Sequence, residues 1–145
     1  MKKVIAILCT LLLNYTAIQA GEKQCIKAND YLEDAILNFE KAYRTDHSRD
    51  LRAFTVKARK SLIKGMNLLK RCGCEDALSA ALDGAIETKK VIKAMDFETA
   101  LYRLSVARNY TEESRIYLDD CLLQLKYEGK EIEIKLEQEN GQIEI

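Results

Sequence analysis

The chain has 145 residues, of which 48% are hydrophobic, 32% are charged and none is proline, and its formal net charge is zero. This length suits one domain with a core of ordinary size, and the charge balance argues against a general nucleic-acid binder, which would carry excess positive charge. The single histidine, His47, excludes a ferritin-like di-iron centre and removes Ser-His-Asp and Cys-His catalysis unless His47 acts alone.

Residues 1–20 have the pattern of a secretory signal peptide. Two lysines at the start precede an apolar run over residues 4–13 and a cleavage site at residues 18–20. The apolar run is shorter than the roughly 20 residues that a transmembrane helix needs, so we expect no transmembrane segment in the mature chain. We therefore expect an exported protein, in the bacterial periplasm or secreted, whose mature chain begins at Gly21.

Four cysteines remain after the signal, and an even count in an oxidising compartment predicts two disulfides. Cys25 precedes Cys72 by 47 positions, and Cys121 follows Cys74 by 47 positions. In an up-and-down helical bundle all four thiols would meet at one end. A bridge from Cys72 to Cys74 would close a strained ring, and the equal spacing favours Cys25–Cys72 with Cys74–Cys121 over the crossed pairing.

The apolar pattern after the signal predicts a first helical hairpin over residues 25–72. Hydrophobic side chains recur at three- and four-residue steps over residues 27–44, and a second helix follows, capped by Asp46 or Ser48. The apolar positions of the two helices are Leu32, Ala35, Ile36, Phe39, Ala42 and Tyr43, then Leu51, Phe54, Ala58, Leu62, Met66 and Leu69.

A second hairpin, over residues 74–121, follows the Cys72-Gly73-Cys74 turn. Asp96 is expected to cap the fourth helix, which is expected to end near Gly129. The apolar positions are Leu78, Ala81, Leu82, Ala85, Ile86 and Ile92 in the third helix, and Leu101, Leu104, Ala107, Thr111, Ser114, Leu118, Leu122 and Leu125 in the fourth.

The two hairpins resemble a duplicated unit. A shift of 49 residues places Cys25 on Cys74 and Cys72 on Cys121, with eight identities in 48 positions. The sequence therefore predicts an all-α fold, an up-and-down four-helix bundle over residues 21–129, made of two disulfide-stapled helical hairpins.

Over residues 130–145 the apolar pattern changes from helical spacing to alternation, which predicts a short β-prone tail. Ile132, Ile134 and Leu136 alternate with charges, and Asn140-Gly141 is a hairpin-turn signal. Because an isolated hairpin is marginal in water, we expect this tail to be mobile or a loosely docked β-hairpin.

The second predicted helix carries the strongest charge asymmetry, with eight basic residues against Asp50 alone. Four of them share one helical face and form a candidate surface for an anionic partner: Lys57, Lys60, Lys64 and Arg71. The competing interpretation is a solvated face neutralised by acids of the fourth helix, namely Glu112, Glu113, Asp119 and Asp120.

Small residues at matching depth in the second and fourth helices indicate either close helix packing or a pocket. They are Ala58, Ser61 and Gly65, and Ala107, Thr111 and Ser114. A pocket would be lined by Arg59, Arg108, Thr111 and Ser114, with Tyr110, Tyr117 and Arg115 nearby. Close packing is the expected outcome of the two, since protein interiors rarely leave voids.

No catalytic constellation emerges, so the sequence predicts a protein that is not an enzyme and uses no cofactor or metal. Cys72-Gly73-Cys74 lacks the usual two-residue redox spacing, and export favours disulfides over a zinc site. We expect a non-catalytic binding or adaptor protein whose partner is a protein or an anionic surface. The alternatives are a secreted inhibitor or effector acting on another protein and, less favoured, a thiol-disulfide oxidoreductase.

Overall fold

The computed structural model describes residues 2–141, with side chains from residue 20 to residue 135. Four helices make up this part of the chain: α1 Lys2–Tyr43, α2 Ser48–Cys72, α3 Glu75–Lys93 and α4 Phe97–Gly141. Each helix packs against the next along the chain, and α1 also packs against α4, whereas α2 and α4 lie on a diagonal and scarcely touch. The predicted all-α four-helix bundle is confirmed, and residues 2–141 contain no strand.

Two disulfides close the hairpins at one end of the bundle, as the spacing predicted. Cys25 is bonded to Cys72 with Cα atoms 5.5 Å apart, and Cys74 is bonded to Cys121 with Cα atoms 5.9 Å apart. The chain therefore has the uncrossed pairing, one bridge within each hairpin.

The turn between the hairpins depends on Gly73. Its φ of 79° lies in the left-handed region, where glycine carries no Cβ penalty. The N–H groups of Gly73 and Cys74 both donate to the carbonyl of Leu69, at 3.1 and 3.3 Å, which satisfies a carbonyl at the end of α2. This glycine places Cys72 and Cys74 at the ends of adjacent helices.

The core is built from the inward stripes predicted for α1, α2 and α4. Its largest completely buried hydrophobic side chains are Phe39, Leu32, Leu51, Leu62, Leu69, Leu104, Leu118 and Val91. In α3 the inward positions are mainly small: Ala77, Ala80, Ala81, Gly84 and Ala85.

Two of the apolar positions predicted for the repeat in α3 lie outside the core. Leu82 is 47% exposed and Ile86 is 45% exposed. The reason is the close approach of α3 to α4 at Gly84, where a Cβ would lie 3.0 Å from Thr111 Oγ1. That contact turns the small residues of α3 inward and leaves Leu82 in a groove with Lys70 of α2, with Ile86 one turn further along α3.

The predicted N-cap is found for α4 but not for α2. His47, rather than Asp46 or Ser48, occupies the N-cap of α2, and its side chain makes no capping hydrogen bond. Asp96 does cap α4, because its Oδ1 accepts from the N–H of Thr99 at 2.7 Å. Hydrogen bonding from Thr99 lowers the pKa of Asp96 below its ordinary value.

The first and last helices are longer than predicted. α1 begins at Lys2, within the predicted signal segment 1–20, and α4 continues through Gly129 to Gly141. The expected β-hairpin is therefore wrong for residues 130–141, where Glu and Lys favour a helix and Glu131 stands four residues before Lys135. Residues 142–145, which complete that predicted tail, lie outside the described residues. In the described part of the chain no helix combines the length and apolar character needed to span a bilayer.

Candidate functional site

The candidate anionic-partner surface lies on the outward face of α2. We call its four exposed basic side chains the basic stripe: Lys57, Lys60, Lys64 and Arg71. They are separated by steps of three, four and seven residues, so their side chains leave α2 in similar directions. The stripe runs along α2 opposite the side that packs into the core.

No ion pair among the described residues includes a member of the basic stripe. Two of its ammonium groups instead lie over aromatic rings. Lys57 Nζ is 5.2 Å from the centre of the Phe54 ring, and Lys64 Nζ is 5.5 Å from that of Tyr31. These contacts orient the lysine side chains without neutralising their charge.

The acids of α4 that might neutralise the stripe are elsewhere. Glu112 pairs with Arg108 at 2.9 Å, and Glu113 accepts a hydrogen bond from the Tyr117 hydroxyl at 2.9 Å. Asp119 and Asp120 are exposed on α4, which lies diagonally across the bundle from α2. Because of this placement, these acids do not neutralise the stripe.

The remaining basic residues of α2 include two on the side toward α3. Arg52 donates to the carbonyl of Ala94 at 2.8 Å and so satisfies the end of α3. Arg59, seven residues later on the same side of α2, is half-buried, and its Nε has no hydrogen-bond partner. One side of α2 thus uses arginine in the α2–α3 contact, while the outward stripe faces solvent.

An exposed apolar strip lies beside the basic stripe, where α2 packs on α3. Its members, each between 37% and 47% exposed, are Val56, Ile63, Leu82 and Ile86. Leu82 shares a shallow groove with Lys70 of α2. Val56 and Ile63 precede Lys70 by fourteen and seven residues on the same side of α2, and Ile86 follows Leu82 by one turn.

The structure places the small residues of α2 and α4 in close helix contacts. Thr111 and Ser114 are completely buried, and their hydroxyls donate to the carbonyls of Ala107 at 2.8 Å and Ala77 at 2.7 Å. In α2, Ser61 is buried and donates to the Asp34 carboxylate of α1. These contacts are those expected of close packing.

The residues proposed to line a pocket are not brought together around a cavity. Arg108 forms ion pairs with Glu112 and, at 3.9 Å, with Glu40 of α1, whereas Arg59 lies on α2, which scarcely touches α4. Neither arginine lines any of the four surface grooves of the described residues that we identify, and neither Thr111 nor Ser114 does.

A groove of about 390 Å³ between α3 and α4 carries the opposite charge to the basic stripe. Its polar lining residues are Asp76, Ser79, Asp83, Tyr110, Glu113 and Tyr117. The hydrogen bond to Glu113 raises the pKa of the Tyr117 hydroxyl. Sequence reasoning identified the two tyrosines and named Glu113 only as an acid of the fourth helix, but it missed Asp76 and Asp83. The seven-residue spacing of Asp76 and Asp83 was the signal that could have placed both on one face.

The sulfur atoms of the two disulfides are in contact at the end of the bundle. Cys74 Sγ lies 3.3 Å from Cys25 Sγ and 3.5 Å from Cys72 Sγ. The sulfurs of Cys25, Cys74 and Cys121 all lie within 4.8 Å of one another. Sulfur in a disulfide is not a thiolate ligand, so this group does not hold a metal while both bridges are formed.

The two disulfides are compatible with an oxidising, exported location. Comparison with known proteins adds no assignment to this site. The chain matches no protein-family model, no curated protein and no solved structure.

Proposed function

We propose that this protein is a non-catalytic, exported binding or adaptor protein that docks the outward face of α2 on an anionic lipid surface. One observation carries the proposal: the four charges of the basic stripe point outward and form no ion pair among the described residues. Unpaired exposed lysines contribute no ion-pair stabilisation to the fold. An unpaired row of like charge instead favours an external partner of opposite charge.

The size of the electrostatic attraction is sufficient for reversible docking. A Lys or Arg close to an anionic lipid surface contributes about 1 kcal/mol, so four such residues contribute about 4 kcal/mol. This attraction falls off within a Debye length of about 8 Å at physiological ionic strength. The stripe must therefore lie flat on the surface, as its position along one face of α2 allows.

The apolar strip favours a lipid surface over a purely polar anion. Val56 and Ile63 lie on the same helix as the stripe, directly before Lys57 and Lys64, and are more than a third exposed. Aliphatic side chains beside lysines are the arrangement by which an interfacial helix enters the headgroup region. An acidic protein could use the same face, which is how the alternative function, an inhibitor or effector, would operate.

The proposed location follows from the same residues. Disulfides persist in oxidising compartments outside the cytoplasm. A protein with two disulfides would therefore meet a lipid surface in the periplasm or at the outer face of a cell. Export is proposed from the signal pattern of residues 1–20 together with the two bridges.

The proposal is tested by sedimentation with vesicles of phosphatidylglycerol and of phosphatidylcholine. The purified mature chain should bind the anionic vesicles and not the neutral ones, and a variant carrying Lys57→Glu, Lys60→Glu and Lys64→Glu should lose this binding. The matched control changes three exposed lysines of α4 by the same total charge and should still bind: Lys126→Glu, Lys130→Glu and Lys135→Glu.

Failure of the parent protein to bind anionic vesicles would overturn the lipid proposal. Capture of an acidic protein from the native compartment that the Lys57, Lys60 and Lys64 variant alone fails to capture would support the inhibitor or effector function instead.

A further inference from the structure

We propose that the four cysteines form one thiol–disulfide exchange site, in which a partner's thiol attacks Cys121 and the resulting thiolate rearranges the buried disulfide. The inference is independent of lipid docking. The protein is here the disulfide that reacts, not a catalyst that turns over.

The contact between the two bridges carries the inference. Cys74 Sγ lies 3.3 Å from Cys25 Sγ, although each is covalently bonded to a different sulfur. Disulfide exchange proceeds by attack of a thiolate on a disulfide sulfur, so a Cys74 thiolate would be formed already touching its target. The Cys74 sulfur lies beside the Cys25–Cys72 bond, 3.3 Å from Cys25 Sγ and 3.5 Å from Cys72 Sγ, so in-line attack on Cys25 requires a rotation of the Cys74 side chain.

Solvent access selects the sulfur that a partner can reach. Cys25, Cys74 and Cys72 are 0%, 3% and 8% exposed, whereas Cys121 is half-buried. A surface groove reaches the Cys74–Cys121 bridge and is lined on α4 by Tyr117, Asp120 and Gln124. An external thiol therefore enters at Cys121.

The position of Cys74 favours its release as the leaving group. Cys74 is the N-cap of α3, at the positive end of that helix, where negative charge on its sulfur is stabilised. A better-stabilised leaving thiolate departs faster in disulfide exchange. Attack on Cys121 with departure of Cys74 is thus favoured by solvent access and by the helix terminus, and opposed by the carboxylates that line the groove.

The steps balance with a partner dithiol as the reductant. One partner thiolate bonds to Cys121 Sγ and breaks the Cys74–Cys121 bond, which leaves a Cys74 thiolate. That thiolate bonds to Cys25 Sγ and breaks the Cys25–Cys72 bond, which leaves a Cys72 thiolate. The second partner thiolate then displaces Cys121, so the partner dithiol is oxidised to a disulfide and the protein retains one bridge, Cys25–Cys74.

The charge of the entry groove indicates the kind of partner. Its acidic lining residues are Glu75, Asp76 and Asp120, and no basic residue lines it. A thiol carried on a positively charged segment is attracted to this groove, while an acidic one such as glutathione is repelled. The class of partner is therefore a protein dithiol flanked by Lys or Arg.

The test uses a Cys121→Ser variant, in which Cys74 has no bonding partner. Native alkylation followed by peptide mass mapping should find the free thiol on both Cys74 and Cys72, with Cys72 free in at least about a tenth of molecules, because the two bridges exchange. The matched variant Cys72→Ser frees Cys25 and should release a thiol at Cys121 by forming Cys25–Cys74. A free thiol found only at Cys74 in the first variant and only at Cys25 in the second would overturn the inference.

A measurement on the unchanged protein covers the case in which these variants do not fold. Treatment with one equivalent of dithiothreitol, quenching and mapping should yield Cys25–Cys74 with alkylated Cys72 and Cys121. Recovery of Cys25–Cys72 with alkylated Cys74 and Cys121 as the only partly reduced species would show that the bridges do not exchange.

Discussion

At the scale of single residues, the closest helix contacts of the two hairpins depend on side chains that are small. Ser114 of α4 approaches Ala77 of α3, and Gly65 approaches Ala28 at the positions 49 residues earlier. The duplicated hairpins thus share one crossing point. Gly84 adds a second close contact that is present only in the α3–α4 hairpin, because Ala35 takes its place in α1.

Replacement of the two helical glycines by alanine should have opposite effects on stability. Gly84→Ala places a Cβ 3.0 Å from Thr111 Oγ1 and 3.3 Å from the carbonyl of Ala107, so its strain should outweigh the propensity gain and destabilise by about 1 kcal/mol. Gly65→Ala meets only ordinary contacts, 3.5 Å or longer, and should stabilise by about 1 kcal/mol through helix propensity. Urea unfolding of both variants measures the signs, and stabilisation by Gly84→Ala would contradict the close contact.

The cap at Asp96 should make stability depend on pH in acid. The pKa of Asp96 is lowered from 3.8 by hydrogen bonding to Thr99, so the folded state binds the proton less readily than the unfolded state. The stabilisation is complete above the unfolded pKa and is lost as pH falls through the lower folded pKa. An Asp96→Asn variant retains an acceptor but does not titrate.

Thermal unfolding from pH 6 to pH 2 should therefore show the parent protein losing more stability than Asp96→Asn. Parallel curves for the two proteins would mean that the Asp96 carboxylate does not stabilise α4.

At the scale of helices, the apolar period and the cysteine spacing together were sufficient to predict the bundle. A 3.6-residue apolar period specifies which side of α1, α2 and α4 is buried, and equal 47-residue spacings specify two bridges at one end. The pattern misassigned Leu82 and Ile86, since burial in α3 was decided by how closely Gly84 allows α4 to approach. Tertiary contact of this kind cannot be deduced from the period of one helix.

The β-hairpin predicted as one alternative for the C-terminal tail was wrong over residues 130–141 for a different reason. Ile132, Ile134 and Leu136 alternate with charges as in a strand, but Ile132 and Leu136 are also four residues apart, which is the spacing of positions on one face of a helix. Glu and Lys have high helix propensity, and Gly129 alone costs about 1 kcal/mol, too little to end a helix of this composition. The candidate site was predicted in part: the basic stripe was predicted, but the adjacent apolar strip was not.

Removal of one disulfide should destabilise its hairpin substantially. A loop closed over 47 residues is expected to lose about 4 kcal/mol of stabilisation when opened, on the chain-entropy model. The double variant Cys25→Ala, Cys72→Ala should show this loss in urea unfolding, and Cys74→Ala, Cys121→Ala should match it within about 1 kcal/mol, because the loops are of equal length. A loss below about 1 kcal/mol in either variant would contradict a stabilising role for that bridge.

At the scale of the whole molecule, a net charge of zero conceals two regions of opposite sign. The outward side of α2 is basic and borders an apolar strip, while the groove between α3 and α4 is lined by acids. Repulsion of the acidic side from an anionic surface would orient the molecule with α2 toward that surface. The bundle can thus dock in one orientation.

The apolar strip should contribute to docking in a way that salt does not screen. A variant with Ile63→Ser and Leu82→Ser removes exposed aliphatic surface without changing charge, at two positions outside the buried core. Its affinity for phosphatidylglycerol vesicles should fall several-fold at low and at high salt alike, because burial of apolar area is insensitive to screening. Unchanged affinity at both salt concentrations would remove the strip from the docking surface.

The most direct measurement of the docking surface is lysine acetylation of the unmodified mature chain, with and without phosphatidylglycerol vesicles, read by mass spectrometry. We predict that Lys57, Lys60 and Lys64 become protected several-fold on vesicle binding, while Lys126 and Lys130 react as they do in solution. Equal reactivity of all five lysines in the bound state, or protection confined to Lys126 and Lys130, would contradict docking through α2.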